Sequence, residues 1–377
     1  MRVEEVQTKK QWRDFFYLPY LIYKDNPYWV PKPPGLEAQL LDVHKNPYFK
    51  NAVMLPLLAY DQGQVVGRVC GFIDKNFSKE QGQTIGVFGF LEYLPKTKAL
   101  PALIAQLEEW FGDQGVQAYL GPMNPSLNGE VGVLTEGFRD TPYPLMNYAR
   151  EEYKSDLLRV GLEPYKQFFA YEYVQSVEFP KNVEAHQLRV LREQDISIRP
   201  INLSKLNEEM AQISQLANSS MKDHWGFTAM TDDDTQFLIE QIRTIIDPNL
   251  FLVAEVKNKI VGFLFALPNI NQFLIRFSRP LKVWHLVFLW LVLKSPFRKL
   301  WVQSCRLATL GVSPEYQKVA IGPALYCAML KQCRIYGYKT AEASWVMEDN
   351  KRVNRLHQRL GATLKKKYHI FRKTLGE

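Results

Sequence analysis

The stretch LGVSPEYQKVAIGPALY, Leu310 to Tyr326, sets small and basic residues between an apolar, strand-like run and a helix that begins just after Gly322. A helix N-terminus leaves backbone N–H groups unpaired and carries the positive end of the dipole, so Gln317–Gly322 is suited to holding a phosphate. A second polar group, Asn124, Asn128 and Glu130, lies in the Gly- and Asn-dense loop GPMNPSLNGEVGVLTEGF and is available to bind a polar ligand. Thr231 followed by three Asp reads as a helix cap with an acidic first turn. The four cysteines form no C-x-x-C pair and the six histidines are scattered, so neither a metal site nor a disulfide scaffold is expected, and a cytoplasmic location is.

The 377 residues exceed one ordinary domain, and a hydrophobic fraction of 46% is enough for two cores. The N-terminus, MRVEEVQTKKQWRDFF, has neither the charge order nor the apolar run of a targeting peptide. The net charge of +8 is uneven: Phe273 to Gln303 holds six basic residues and no acidic one, and Lys351 to Glu377 holds nine against one. Such patches suit an anionic partner: nucleic acid, a phosphorylated cofactor or an anionic membrane surface.

The sequence repeats a plan. AYDQGQVVG (Ala59 to Gly67) and AEVKNKIVG (Ala254 to Gly262) both read strand, tight turn, strand. PALIAQLEEWFGDQG (Pro101 to Gly115) and PALYCAMLKQCRIYG (Pro323 to Gly337) each read as a helix with Pro in its first turn and Gly past its end. LLRVGLEPYKQFFAYEY and HQRLGATLKKKYHIFRK close the two halves with a helix, Gly161 or Gly361, and a strand-like segment. These landmarks predict two α/β domains of one fold, 1–180 and 197–377, joined by a polar linker at 181–196. The second copy has 61 residues between Gly262 and Pro323 where the first has 34 between Gly67 and Pro101, which predicts an insertion over 270–303.

The order of elements, with a loop at Gln317–Gly322, resembles the GNAT superfamily of acyl-CoA-dependent N-acyltransferases, whose pyrophosphate loop is written Q/R-x-x-G-x-G/A. Ala320 stands at the first Gly position. NKRVNRLHQRLGA, Asn350 to Ala362, resembles the family's second signature, with Val353, His357 and Ala362 in place of its Ala, Tyr and Phe. The resemblance implies two tandem GNAT-like domains, each a mixed, mostly antiparallel sheet flanked by helices, the N-terminal one degenerate because FLEYLPKTKALPAL lacks the loop. It implies acyl-CoA as co-substrate, held by Gln317, Lys318, Val319, Ala320, Ile321 and Gly322 with Ala324 and Asn350 nearby, and pantetheine paired with backbone at Leu310 and Val312. The amine would lose its proton to Glu342 in TAEASW or Glu348 in VMEDN, and His357, as an imidazolium, would protonate the departing thiolate. No metal and no nucleic acid is expected.

Most of the chain also resembles a bacterial tandem-GNAT group that shares the Gly121–Asn124, Glu136–Phe138 and Ser344–Asn350 segments and includes enzymes that acylate a sphingoid base. The apolar run LKVWHLVFLWLVLK (Leu281 to Lys294) bears on that substrate. As a helix it spans about 20 Å, short of the ~30 Å hydrocarbon core, so it reads as a buried helix, the wall of a lipid pocket, or an interfacial segment on the inner membrane. The expected activity is acyl transfer from acyl-CoA to a primary amine, with a long-chain lipid amine or a small polar amine as acceptor. A non-catalytic binder of acyl-CoA or lipid is the alternative from another class. An aminoacyl-tRNA-dependent transferase is disfavoured, because the CoA-type loop survives and no long charged helical arm is present.

Overall fold

The computed structural model describes every residue except 33, 126–128, 175–184, 186–188, 243–245, 278–280, 282, 296 and 377. Residues 181–184 and 186–188 of the 181–196 linker therefore lie outside the described residues. The N-terminal half contributes strands β1 (Arg2–Glu5), β2 (Ala52–Asp61), β3 (Gln64–Asp74), β4 (Ile85–Tyr93), β5 (Ala118–Gly121), the short β6 (Met123–Asn124) and β7 (Glu130–Val131), β8 (Val133–Glu136) and β9 (Glu163–Val174). The C-terminal half contributes β10 (Ser197–Pro200), β11 (Phe251–Val256), β12 (Lys259–Pro268), β13 (Ser304–Val312), β14 (Thr340–Met347) and β15 (Thr363–Thr374).

The repeated landmarks have repeated physical causes. Each hairpin turns on two residues with positive φ, Gln62 and Gly63 in β2–β3 and Lys257 and Asn258 in β11–β12, the turn whose twist matches paired strands. The Gly that closes each hairpin motif lies beneath a helix. A Cβ on Gly67 would come within 2.9 Å of Ala99 and Leu103, and one on Gly262 within 3.0 Å of Ile321. Those two helices, Ala99–Asp113 and Ile321–Ile335, bury apolar faces that include Leu103, Leu107 and Phe111 in one half and Leu325, Met329 and Leu330 in the other. The closing helices, Glu152–Arg159 and Lys351–Arg359, each precede a Gly with positive φ, Gly161 and Gly361. Thr231 caps helix Asp232–Ile242 as expected, accepting from Asp234 N at 3.2 Å while Asp234 accepts from Thr231 N at 2.8 Å.

The halves are not separate sheets. One sheet runs β1-β2-β3-β4-β5-β15-β9-β14-β13-β12-β11-β10, with β8 also on β15. The last strands are exchanged: β15, from the C-terminal half, pairs with β5, while β9, from the N-terminal half, pairs with β14. Parallel pairing occurs at β4–β5 and β13–β14, so the sheet is mostly antiparallel. Helices lie against it in both halves, in a mixed α/β architecture of two tandem GNAT-like units.

In the 270–303 insertion, helix Val283–Lys294 packs Leu289 and Val292 against Val30, Phe273 and Leu274. Trp284, Val287, Phe288, Trp290 and Leu291 of the same helix are exposed. No described helix is long and apolar enough to cross a membrane.

Candidate active site

Strands β13 and β14 pair only from Ser304–Thr340 to Leu307–Ala343. Beyond that point β13 runs on to Val312 along β12, while β14 turns to follow β9, with Trp345 bulged out of register. The edge of β13 facing the opening is left without a strand partner. This splay opens into a cleft of about 1910 Å³ that both halves line.

Leu310, Val312, Gln317 and Gly322 line the cleft, and so does Asn350, whose side chain caps helix Lys351–Arg359 by accepting from Val353 N at 3.2 Å. Ala320 adopts φ +58, the left-handed conformation that the missing Gly would take without cost. Helix Ile321–Ile335 starts immediately after it. The N–H groups of Lys318, Ala320, Ile321 and Gly322 have no hydrogen-bond partner among the described residues. Arg352 donates to the Gln317 carbonyl at 2.8 Å and fixes the loop against the next helix. Lys351, Arg352, Arg355 and Arg359 line the same end of the cleft, which is therefore strongly cationic. Val319 and Ile321 pack into the core, and Ala324 is buried behind the loop, so these three residues contribute backbone and spacing.

Glu342 does not face the opening. It is 1% exposed, its Oε2 lies 2.8 Å from Lys366 Nζ, and its Oε1 accepts from Ser344 at 2.8 Å. Arg306 completes the buried network, donating to Ser344 Oγ and Ser344 O and to Pro144 O, each at 3.0 Å. Burial lowers the Arg306 pKa to about 10. The expected role of Glu342 as a free base is corrected on this ground: both carboxylate oxygens are occupied and closed off from the cleft. Glu348 is exposed and outside the cleft lining, with its carbonyl accepting from Asn354 at 3.3 Å.

His357 is also placed differently from the expectation. It is fully buried, with Tyr171 stacked at 5.1 Å, Tyr326 edge-on at 5.0 Å, and the Tyr173 hydroxyl 2.6 Å from Nδ1. Desolvation lowers its pKa to about 4, so it is a neutral imidazole near pH 7 and has no imidazolium proton to give. Tyr326, between His357 and the cleft, is a lining residue that the sequence did not single out. Trp345 is another, and its buried indole N–H has no partner among the described residues.

The opposite wall comes from the N-terminal half. Asn124 Oδ1 accepts from Phe90 N at 2.7 Å, and its amide donates to Glu130 Oε2 at 3.1 Å. Lys32 pairs with the same Glu130 oxygen. Both Asn124 and Glu130 line the cleft; Asn128 lies outside the described residues. Beside them is Glu92, which accepts from the Tyr23 hydroxyl at 2.9 Å and the Tyr153 hydroxyl at 2.7 Å. Burial raises its pKa to about 7. Glu92 was missed in the sequence, although a lone carboxylate inside the apolar run FGFLEYL was a signal for it. The splay of this half is closed: a Cβ on Gly89 would fall 2.3 Å from Met123 O.

Residues 210–362 match the acetyltransferase (GNAT) family. Protein YghO of Escherichia coli (strain K12) is 26% identical over 98% of this chain and 94% of its own length. A protein of Caulobacter vibrioides named bacterial ceramide synthase is 28% identical over 100% of this chain and 98% of its own. A tandem GNAT protein from the clavulanic acid biosynthesis pathway superposes with a TM-score of 0.58 at 12% identity, covering 100% of this chain and 99% of that one. The chain therefore has the fold of tandem GNAT proteins, and its residues 210–362 are similar to the acetyltransferase (GNAT) family.

Proposed function

We propose that the protein transfers an acyl group from acyl-CoA to the primary amine of a long-chain lipid, of the kind represented by a sphingoid base. The observation that carries this reading is the continuity of one cleft. It runs from the N–H-rich loop and the open edge of β13 to an apolar stretch walled by Leu274, Leu281, Leu289, Trp290 and Leu293 of the insertion. Its volume, about 1910 Å³, is well above the ~300–1,000 Å³ of ordinary small-molecule sites, and suits two long ligands. The similarity to a protein named bacterial ceramide synthase supports the same substrate class.

Acyl-CoA sets its pyrophosphate on residues 317–322 and its pantetheine along β13 at Leu310 and Val312. Asn350 borders that site, and Asn124 and Glu130 face it from the acceptor side. The neutral amine attacks the thioester carbonyl, the C–N bond forms, the C–S bond breaks, the nitrogen gives up one proton to water, and the CoA thiolate takes one from a donor that this water reprotonates. Tyr326 is the donor in this reading, since His357 behind it is neutral and closed off. In chain order we keep the division into 1–180 and 197–377, although the exchanged strands make the halves one body. The exposed Trp284, Val287, Phe288 and Leu291, with Arg276, Lys294 and Lys299 also exposed, suit docking of the cytoplasmic protein on anionic lipid.

Native mass spectrometry with CoA, acetyl-CoA and palmitoyl-CoA tests the reading. Preference for palmitoyl-CoA, with affinity lost in Gly322→Asp, supports it. Preference for acetyl-CoA indicates a small-amine acetyltransferase. Unchanged CoA affinity in Gly322→Asp removes the reading altogether. Binding of palmitoyl-CoA without turnover on any long-chain amine leaves a non-catalytic binder.

A further inference from the structure

Glu92 sits on β4, the strand that the repeat relates to β13, and its carboxylate lines the cleft. Two tyrosine hydroxyls donate to it, yet among the described residues no Lys, Arg or His pairs with it. The nearby cations are already engaged. Arg68 binds Glu37 at 2.9 Å and the Phe15 carbonyl at 2.8 Å, and Lys32 is held by Glu130. Trp29, stacked on Tyr23 at 5.3 Å, and Tyr148 add aromatic rings to the same wall. A carboxylate with hydroxyl support, aromatic neighbours and no counter-ion is the arrangement that receives an organic ammonium ion, which supplies the missing charge and lies against ring faces.

We propose that Glu92, with Tyr23 and Tyr153 holding its carboxylate, is the anchor for the ammonium group of an alkylamine acceptor. The N-terminal half, which lacks the pyrophosphate loop, thereby serves as the acceptor-binding half of the enzyme. The inference rests on the amine-acyltransferase reading and assigns that reading's acceptor to a specific carboxylate. Burial pushes the Glu92 pKa up to about 7 against the opposing fields of Arg68 and Lys32, so the anchor is charged above that pH and neutral below it. The charged groups around it are Arg68 and Glu37, Lys32 and Glu130, and Arg150 near Tyr23.

The test is calorimetric titration of the full-length protein with octylamine and with 1-octanol, which share a tail and differ in charge. Octylamine is expected to bind at least tenfold tighter than octanol at pH 8, with that ratio collapsing toward one in Glu92→Gln while octanol and CoA affinities stay unchanged. Equal binding of the two probes to the wild type, or a ratio retained in Glu92→Gln, overturns the proposal. Should the variant fail to fold, the wild type gives a second reading. The ratio is expected to rise between pH 5.5 and 8.5, where octylamine itself stays cationic, and a flat ratio also overturns the anchor. CoA titrated separately distinguishes failure of the cofactor site from failure of this one.

Discussion

Lys366 on β15 reaches across β9, where Ala170 stands in register with it, to place its ammonium 2.8 Å from the Glu342 carboxylate of β14. Both residues are at most 2% exposed, and Lys366 also donates to Thr141 O at 3.2 Å, tying the 140–146 segment to the exchanged strands. Removing one member strands a buried charge, so Glu342→Gln or Lys366→Met is expected to cost about 3–5 kcal/mol, and the pair together less than the sum. Urea unfolding of the two single variants and the double variant measures this. A Glu342→Gln protein of wild-type stability but no turnover would instead restore Glu342 as the base.

Neutral, buried His357 gives a stability term with a definite pH window. Its folded pKa, about 4, lies below the ordinary value near 6.5, so between those values the unfolded chain binds more protons. The contribution is fully present above pH 6.5 and is lost as pH falls toward 4, in total on the order of 3 kcal/mol. His357→Phe is expected to flatten the loss of stability between pH 6.5 and 4, read as melting temperature against pH, while the alkaline side is unchanged.

The repeat was legible because its landmarks are local. Two-residue hairpin turns, Pro in a first turn, and Gly161 and Gly361 after the closing helices each follow from backbone constraints on a few neighbouring residues. The exchange of β9 and β15 was not legible, since an alternating pattern states which face of a strand is buried and not which strand lies beside it. The same limit misplaced Glu342, whose side chain turns toward Lys366 of a strand 24 residues onward. The basic C-terminal run divides for this reason too. Lys365, Lys366, Lys367 and Lys373 are consumed by Glu172, Glu342, Glu136 and Glu108, while Lys351, Arg352, Arg355 and Arg359 face the cleft.

Arg352 holds the Gln317 carbonyl at 2.8 Å, so it fixes the loop without forming part of the fold's core. Arg352→Ala is expected to weaken CoA binding about three- to tenfold, the scale of one solvent-exposed hydrogen bond of ordinary net strength, with melting temperature unchanged. Calorimetric titration with CoA reads the first and differential scanning the second. Full retention of affinity would show that the loop orders itself.

The raised pKa of Glu92 runs the opposite way to that of His357. Folded, it holds its proton up to about 7, whereas the unfolded carboxyl releases it near 4.3, so its favourable contribution is present below 4.3 and is lost as pH rises through 7. Glu92→Gln is therefore expected to be more stable than the wild type above pH 7 and equal to it near pH 4. That is the direction expected when a site keeps a charge for binding at the expense of stability. Thermal melts of both proteins at pH 4.5, 6.5 and 8.5 decide the matter, and an unchanged difference across the three would show that Glu92 titrates normally.

Eight of the chain's large exposed apolar side chains fall between Trp284 and Leu300, two of them Trp at 56% and 45% exposure. Helix Val283–Lys294 carries six of these residues, while its Leu289 and Leu293 line the cleft. A lipid amine would pass from a membrane into the cleft around this one helix, with little exposure of its tail to water. Arg276, Lys294 and Lys299 bring positive charge to the exposed side, so vesicles containing anionic lipid should bind the protein more tightly than neutral ones, and less so in high salt. Replacing Trp284 and Leu291 together with Glu is expected to reduce co-sedimentation with anionic vesicles at least tenfold and leave CoA affinity intact. Equal sedimentation of the variant, or self-association of the wild type in the absence of vesicles, would show that this face serves another purpose.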